Sequence, residues 1–235
     1  FITEDGIKLS STDINKQAFT YIKLDRDKFD TYKIDKPRVL GINLVTLYKV
    51  IKSSTRNDTI TFYINEFEEE TLYVELFNFY LSKTKKFKIP ILELDDIDIN
   101  IRDKTFVNVI NISTKQFQQV IKDIQLIEGK IVEIMSINKE VIFSCKDGIV
   151  DDLCITLGEP VNEDADPEED GTIDFNDTTE TTIIQGAFKV CYFIDIIKAS
   201  HLCDNMNILM SNDKPLILEY FVGELGVLLL ELRPV

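Results

Sequence analysis

Three lysines recur at one place in a repeated pattern. Leu47, Val50 and Ile51 precede Lys52; Phe117, Val120 and Ile121 precede Lys122; Phe193, Ile196 and Ile197 precede Lys198. Apolar residues at i, i+3 and i+4 share one helical face, so each copy reads as an amphipathic helix with a cation near its end. An ammonium there can interact favourably with the helix macrodipole, by ~0.3–1 kcal/mol. Alternatively, because equivalent helices of a repeat face the same way, the three lysines form a common surface that contacts phosphates without reading sequence. The pattern alone does not choose between the two.

Catalytic chemistry has little to work with. The chain carries one histidine, His201, and no Gly-rich phosphate loop, GxSxG or HExxH. Asp95, Asp96 and Asp98 are carboxylates of the kind that hold Mg²⁺ in a nuclease or phosphatase. Alternation along a strand, however, throws Asp95 onto the face opposite Asp96 and Asp98. Asp164, Asp166, Glu168 and Asp170 lack the central glycine and the twelfth-position Glu of a calcium loop. Cys145, Cys154, Cys191 and Cys203 form no CxxC pair and have no histidines at ligand spacing, which fits a reducing, intracellular setting. The expectation is a non-enzymatic protein with no cofactor and no metal.

The balance of 26 Lys+Arg against 41 Asp+Glu gives a net charge of -15, which as a bulk property argues against binding nucleic acid. Its distribution qualifies that statement. No lysine or arginine occurs from Asp147 to Phe188, and the stretch 162–180 holds nine acids, whereas lysines gather at Lys49, Lys52, Lys83, Lys85, Lys86 and Lys88. A local basic surface survives within an acidic shell. No apolar run approaches the ~18 residues of a membrane span, so no membrane partner is expected.

The elements that must position these residues follow from periodicity. From Ile7 to Asn43 polar and apolar residues alternate, including Thr31-Tyr32-Lys33-Ile34, and predict antiparallel strands. A helix over about Leu44 to Lys52 follows, with Asn43 as N-cap, then strands near 58–64, 71–79 and 83–89. Residues 90–104 alternate acid and aliphatic side chains as an extended connector. The second half repeats the plan. A strand near 105–112 leads to a helix after Ser113, followed by strands near 130–137, 140–145 and 149–157. A charged loop over 162–180, a strand near 182–189, a third helix to about Ser200 and strands near 204–211, 215–222 and 226–233 complete it. Length allows two domains, divided as 1–89, connector 90–104, and 105–235. Three helix-plus-strands units are visible; two per domain would place a fourth helix before Phe1.

Two edges have opposite charge. Lys83, Lys85 and Lys86 lie on the last strand of the first domain, while Asp151, Asp152, Leu153 and Ile155 belong to an acidic strand of the second. Lysines on an edge discourage aggregation, and opposite edges also favour a head-to-tail contact that closes a ring when the rotation permits.

Several stretches resemble the proliferating cell nuclear antigen family of sliding clamps. Phe29-Asp30-Thr31-Tyr32-Lys33-Ile34-Asp35 is similar to the family's FDTYRCD segment, and Leu40-Gly41-Ile42-Asn43-Leu44 to its MGVNL turn into a helix. Asp213-Lys214-Pro215-Leu216-Ile217-Leu218-Glu219-Tyr220 and Leu232-Arg233-Pro234 resemble its closing strands. The resemblance implies an α+β DNA clamp fold, with two similar domains of antiparallel sheets outside and helices on the inner face, whose first strand and helix would precede Phe1. It also implies a homotrimeric ring around double-stranded DNA, partners including DNA polymerase and a clamp loader, and a nuclear or viral replication compartment. Carried over by position, the DNA-facing residues would be Lys49, Lys52, Lys85, Lys122 and Lys198, with Gln119 where the family has arginine. The pocket for partner peptides would comprise Phe19, Leu94, Ile97, Ile99, Pro215, Leu232 and Pro234. Two other readings stay open: a subunit of a heterotrimeric checkpoint or repair ring, and a metal-dependent hydrolase using Asp95, Asp96 and Asp98.

Overall fold

The computed structural model describes residues 1–93, 106, 108–158, 173–175 and 183–235. Along the chain run β1 (Ile2–Thr3), β2 (Gly6–Thr12), β3 (Ala18–Asp25), α1 (Leu44–Lys52), β4 (Asp58–Asn65), β5 (Glu68–Asn78), β6 (Lys83–Pro90), β7 (Asn108–Ser113), α2 (Thr114–Leu126), β8 (Ile131–Ile137), β9 (Glu140–Cys145), β10 (Leu153–Gly158), β11 (Ile173–Phe175), β12 (Ile184–Lys189), α3 (Val190–Ile196), β13 (Asn205–Met210), β14 (Leu216–Val222) and β15 (Gly226–Leu232). They fall into two compact units, Phe1–Glu4 with Ile34–Asn100, and Asp5–Lys33 with Ile101–Val235.

In the first unit, β4, β5 and β6 form an antiparallel sheet in that order. Period-two alternation turns Leu72, Val74 and Leu76 of β5 inward to a small core with Ile89, against which Leu47 and Val50 of α1 pack. On the opposite face Tyr63 and Tyr73 stack at 5.0 Å, and Lys88 Nζ lies 5.0 Å from the Tyr73 ring. Glu68 accepts hydrogen bonds from Lys88, at 2.9 Å, and from the Tyr73 hydroxyl. Helix α1 begins as its sequence requires: the Asn43 side chain accepts the Thr46 N–H at 3.0 Å. No residue of α1 is fully buried, and Leu44, Val45 and Tyr48 are exposed.

The second unit holds two antiparallel sheets. One runs β2-β3-β15-β14-β13-β7-β11 and the other β10-β9-β8-β12. Helices α2 and α3 contribute Phe117, Val120, Ile121, Phe193 and Ile196 to one continuous core with the inward residues of both sheets. Phe117 lies 6.2 Å from Phe143 of β9 and 6.1 Å from Phe193 of α3, so a single ring joins sheet, helix and helix. The start of α2 is tied down by Thr114, whose buried hydroxyl lies within 3.1 Å of the carbonyls of Ser200, Cys203 and Asp204. Ser113, the expected cap, makes no side-chain cap bond.

Three local expectations change. Residues 29–34 form no strand; Phe29 instead packs on Tyr32 at 5.5 Å, and Arg26 lies over the Tyr32 ring. The charged stretch 162–180 contains a strand, because Ile173 and Phe175 sit two apart, are both buried, and pair with Ile112 and Ile110 of β7. Finally, β10 begins at Leu153 rather than 149, because Asp147 accepts the N–H groups of Lys130 and Ile131 and the Ile149 N–H bonds to the Ile127 carbonyl, holding that segment as a loop.

Candidate nucleic-acid interface

The buried face of each helix fixes which residues face solvent. In α2, burial of Phe117, Val120, Ile121 and Ile124 leaves Lys115, Gln119 and Lys122 exposed on one stripe, at i, i+4 and i+7. The same spacing in α3 and the 3₁₀ turn after it (Ile197–Ala199) exposes Cys191, Asp195 and Lys198, and in α1 it exposes Val45, Lys49 and Lys52. The periodicity of the three copies therefore carries through to three exposed lysines.

Gln118 joins two of these stripes. Its Nε2 donates to the Ile197 carbonyl at 3.1 Å and to Ser200 Oγ at 2.9 Å, while its Oε1 accepts from Lys122 Nζ at 3.0 Å. Lys122 and the turn bearing Lys198 are thus held on one side of the helix pair. Lys198 Nζ is 2.7 Å from Asp195 Oδ1, with both side chains largely exposed. The macrodipole accounts for Lys49 and Lys52, which lie in the last turn of α1. It does not account for Lys122, since α2 continues to Leu126 and has no basic residue in its last turn. Lys115 lies outside the repeated pattern around Ile121, yet its seven-residue separation from Lys122, about 20° around a helix, places it on the same stripe.

Lys85 plays a different part. Its Nζ donates to the Ser53 carbonyl at 2.6 Å, capping the C-terminal end of α1. Along β6 the side chains alternate, so Lys86 and Lys88 take the other face; Lys86 pairs with Glu75 at 2.9 Å, which raises the ammonium's pKa. Lys83 is exposed. Among the described residues β6 is an edge of its sheet and β10 an edge of another. Leu153 and Ile155 of β10 turn inward against the core, Cys154 faces outward, and Asp151 and Asp152 precede the strand as exposed residues.

Of the residues expected to form a peptide pocket, Leu94, Ile97 and Ile99 lie outside the described residues. Pro234 lines a shallow cleft with Gly186, Phe188, Met210, Asn212 and Leu216. A Cβ at Gly186 would lie 2.7 Å from the Phe188 ring, which would have to shift to admit it. Pro215 is half-buried between the cleft residues Lys214 and Leu216, and Phe19 is half-buried opposite Glu231. Leu232 is only 1% exposed: its register opposite Leu216 points it into the core rather than toward an open surface. Next to this region the Asp13 carboxylate accepts the N–H groups of Ala18 and Gln17, both at 2.7 Å, and the Tyr192 hydroxyl at 2.8 Å. The Ala18 N–H is the main cause of a lowered Asp13 pKa. Among the described residues no three His, Cys, Asp or Glu side chains are grouped to hold a metal ion; Asp95, Asp96 and Asp98 lie outside them.

Comparison with known families shows that residues 1–103 match the proliferating cell nuclear antigen N-terminal domain and residues 100–235 match its C-terminal domain. The chain belongs to the proliferating cell nuclear antigen family. Its antiparallel sheets and few helices have the clamp fold of that family, whose members are scaffolds rather than enzymes. The probable DNA polymerase sliding clamp 1 of Paramecium bursaria Chlorella virus 1 is 26% identical over 230 residues, covering 98% of this chain and 84% of the viral protein. The proliferating cell nuclear antigen of Caenorhabditis elegans is 25% identical (99% and 85% covered), and the DNA polymerase sliding clamp of Pyrococcus furiosus 22% (99% and 86%).

Proposed function

We propose that the chain is a DNA sliding clamp, a processivity factor that encircles duplex DNA and tethers DNA polymerase and other replication and repair proteins. The match of both halves to the two clamp domains carries this reading. The exposed lysines of three similarly patterned helices support it, because cations on a rigid surface contact phosphates without reading bases. Strands β6 and β10, edges of their sheets among the described residues, support ring closure through three copies, each β6 adding to the next copy's β10. With Lys85 and Lys86 already engaged within the chain, backbone pairing and Lys83 are the groups left to hold that contact. A short peptide motif carried by polymerase and other partners would bind at the surface that bears Pro234 and half-buried Pro215. A clamp loader would open the ring, in the nucleus or a viral replication compartment.

The test combines mass and activity. Light scattering should give a particle of three copies, and with a loader the protein should lengthen polymerase products on primed circular DNA. A single-copy mass at working concentration, with no stimulation, would refute the reading.

A further inference from the structure

The three exposed stripes have the same spacing but different charge. At the middle position α1 has Lys49, α2 has Gln119 and α3 has Asp195, each three residues before the recurring lysine. Over the whole element, α1 carries Lys49 and Lys52 with no acid, and α2 carries Lys115 and Lys122 with Asp123. The α3 segment with its 3₁₀ turn carries only Asp195 and Lys198. The ammonium and carboxylate of that pair are 2.7 Å apart, with side chains 72% and 78% exposed. Exposed pairs of this kind contribute little to stability, so the fold does not explain the carboxylate. At separations larger than that 2.7 Å the opposite charges cancel, so the pair presents no net charge to an approaching polyanion. Lys122 differs, because its partner is the uncharged Gln118 and its full charge remains available.

We propose that Asp195 is a charge-tuning residue of the phosphate-facing surface. Its carboxylate occupies Lys198 and makes the α3 segment neutral, leaving Lys115 and Lys122 as the phosphate-binding cations of the α2–α3 pair. The proposal rests on the reading that these helices face duplex DNA. A weak, graded contact of this kind holds the duplex loosely, as a protein that must move along DNA requires, and Asp195 is the side chain through which this chain sets it.

The test measures binding of the full chain to a short fluorescent DNA duplex between 50 and 200 mM salt. Each additional phosphate neutralised steepens log K against log salt by about 0.9, so the ratio of affinities at the two salts grows about three- to fourfold. Asp195→Asn should give that increase for each copy in the ring whose Lys198 meets a phosphate, and Asp195→Asn/Lys198→Ala should return to the wild-type ratio, because the gain acts through Lys198. Lys122→Ala should lower the ratio by a similar factor. If Lys122→Ala weakens binding while Asp195→Asn leaves the salt dependence unchanged, the role of Asp195 is refuted and the DNA-facing reading stands. A gain that persists in the double variant also refutes it. If Lys115→Ala/Lys122→Ala binds like the wild type, the DNA-facing reading of the helix pair fails, and the proposal with it.

Discussion

Replacing Phe117 by alanine should remove a buried ring that joins sheet and helices in the larger unit. Its ring is 0% exposed and packs on Phe143 and Phe193, so it is shared by the sheet bearing β9 and by both helices. Truncation removes the burial of the ring and leaves a cavity that its neighbours fill only partly, at a cost of about 3–5 kcal/mol. The two aromatic contacts, each worth roughly 0.5–1.5 kcal/mol beyond area, place the expected loss toward the upper part of that range. Against a total stability of about 5–15 kcal/mol this is a large fraction. Urea unfolding followed by tyrosine fluorescence and circular dichroism should show the midpoint falling by more than about 1 M, at slopes of about 1–3 kcal/mol per M. Phe67→Ala is the control, because Phe67 is 94% exposed and its loss should stay within about 0.5 kcal/mol. A Phe117→Ala midpoint no lower than that of Phe67→Ala would refute the account of this core.

Other outcomes follow from single contacts. Asn43→Ala leaves the Thr46 N–H without its side-chain acceptor and should cost about 0.5–2 kcal/mol, seen as faster amide exchange in the first turn of α1. Thr114→Val keeps shape but removes the buried hydroxyl that bonds the 200–204 segment; thermal unfolding should report a loss of about 1–3 kcal/mol. Asp13→Asn should be less stable than the wild type at neutral pH. The folded Asp13 carboxyl titrates below its unfolded value, so its contribution is complete above about pH 4 and disappears as pH falls through the lower folded value. The gap between the two proteins should therefore close on acidification, and a gap that widened toward acid would contradict the assignment. Cys145 is buried beside Asp147, with burial the main cause of its raised pKa, so a thiol reagent at neutral pH should modify exposed Cys154 and Cys191 far sooner.

The parts of the fold legible in the sequence were those with strong local periodicity. Helix α1 has the bounds and the cap that Leu44 to Lys52 and Asn43 suggest, and the i, i+3, i+4 pattern placed Phe117, Val120 and Ile121 correctly inside. Period two misled at Thr31 to Ile34, which pair with no strand among the described residues, and was too short to notice at Ile173 and Phe175, whose acidic surroundings suggested a loop. At the site, the lysine stripe was legible because helical spacing is local. What each lysine bonds was not: Lys85 reaches Ser53 across 32 positions, and Gln118 reaches Ile197 across 79. The inward turn of Leu232 likewise depends on pairing with β14. The Asp195–Lys198 pair lies three positions apart and was visible in principle, but its meaning depends on comparing three exposed stripes.

The central claim is encirclement, and topology tests it more directly than affinity. The protein, loaded by a clamp loader onto nicked circular duplex DNA, should remain bound through a wash at high salt, which strips purely electrostatic contacts. Cutting the same circle once should release it through the free ends. Equal retention on circular and linear DNA, or complete loss from the circle at high salt, would contradict the account.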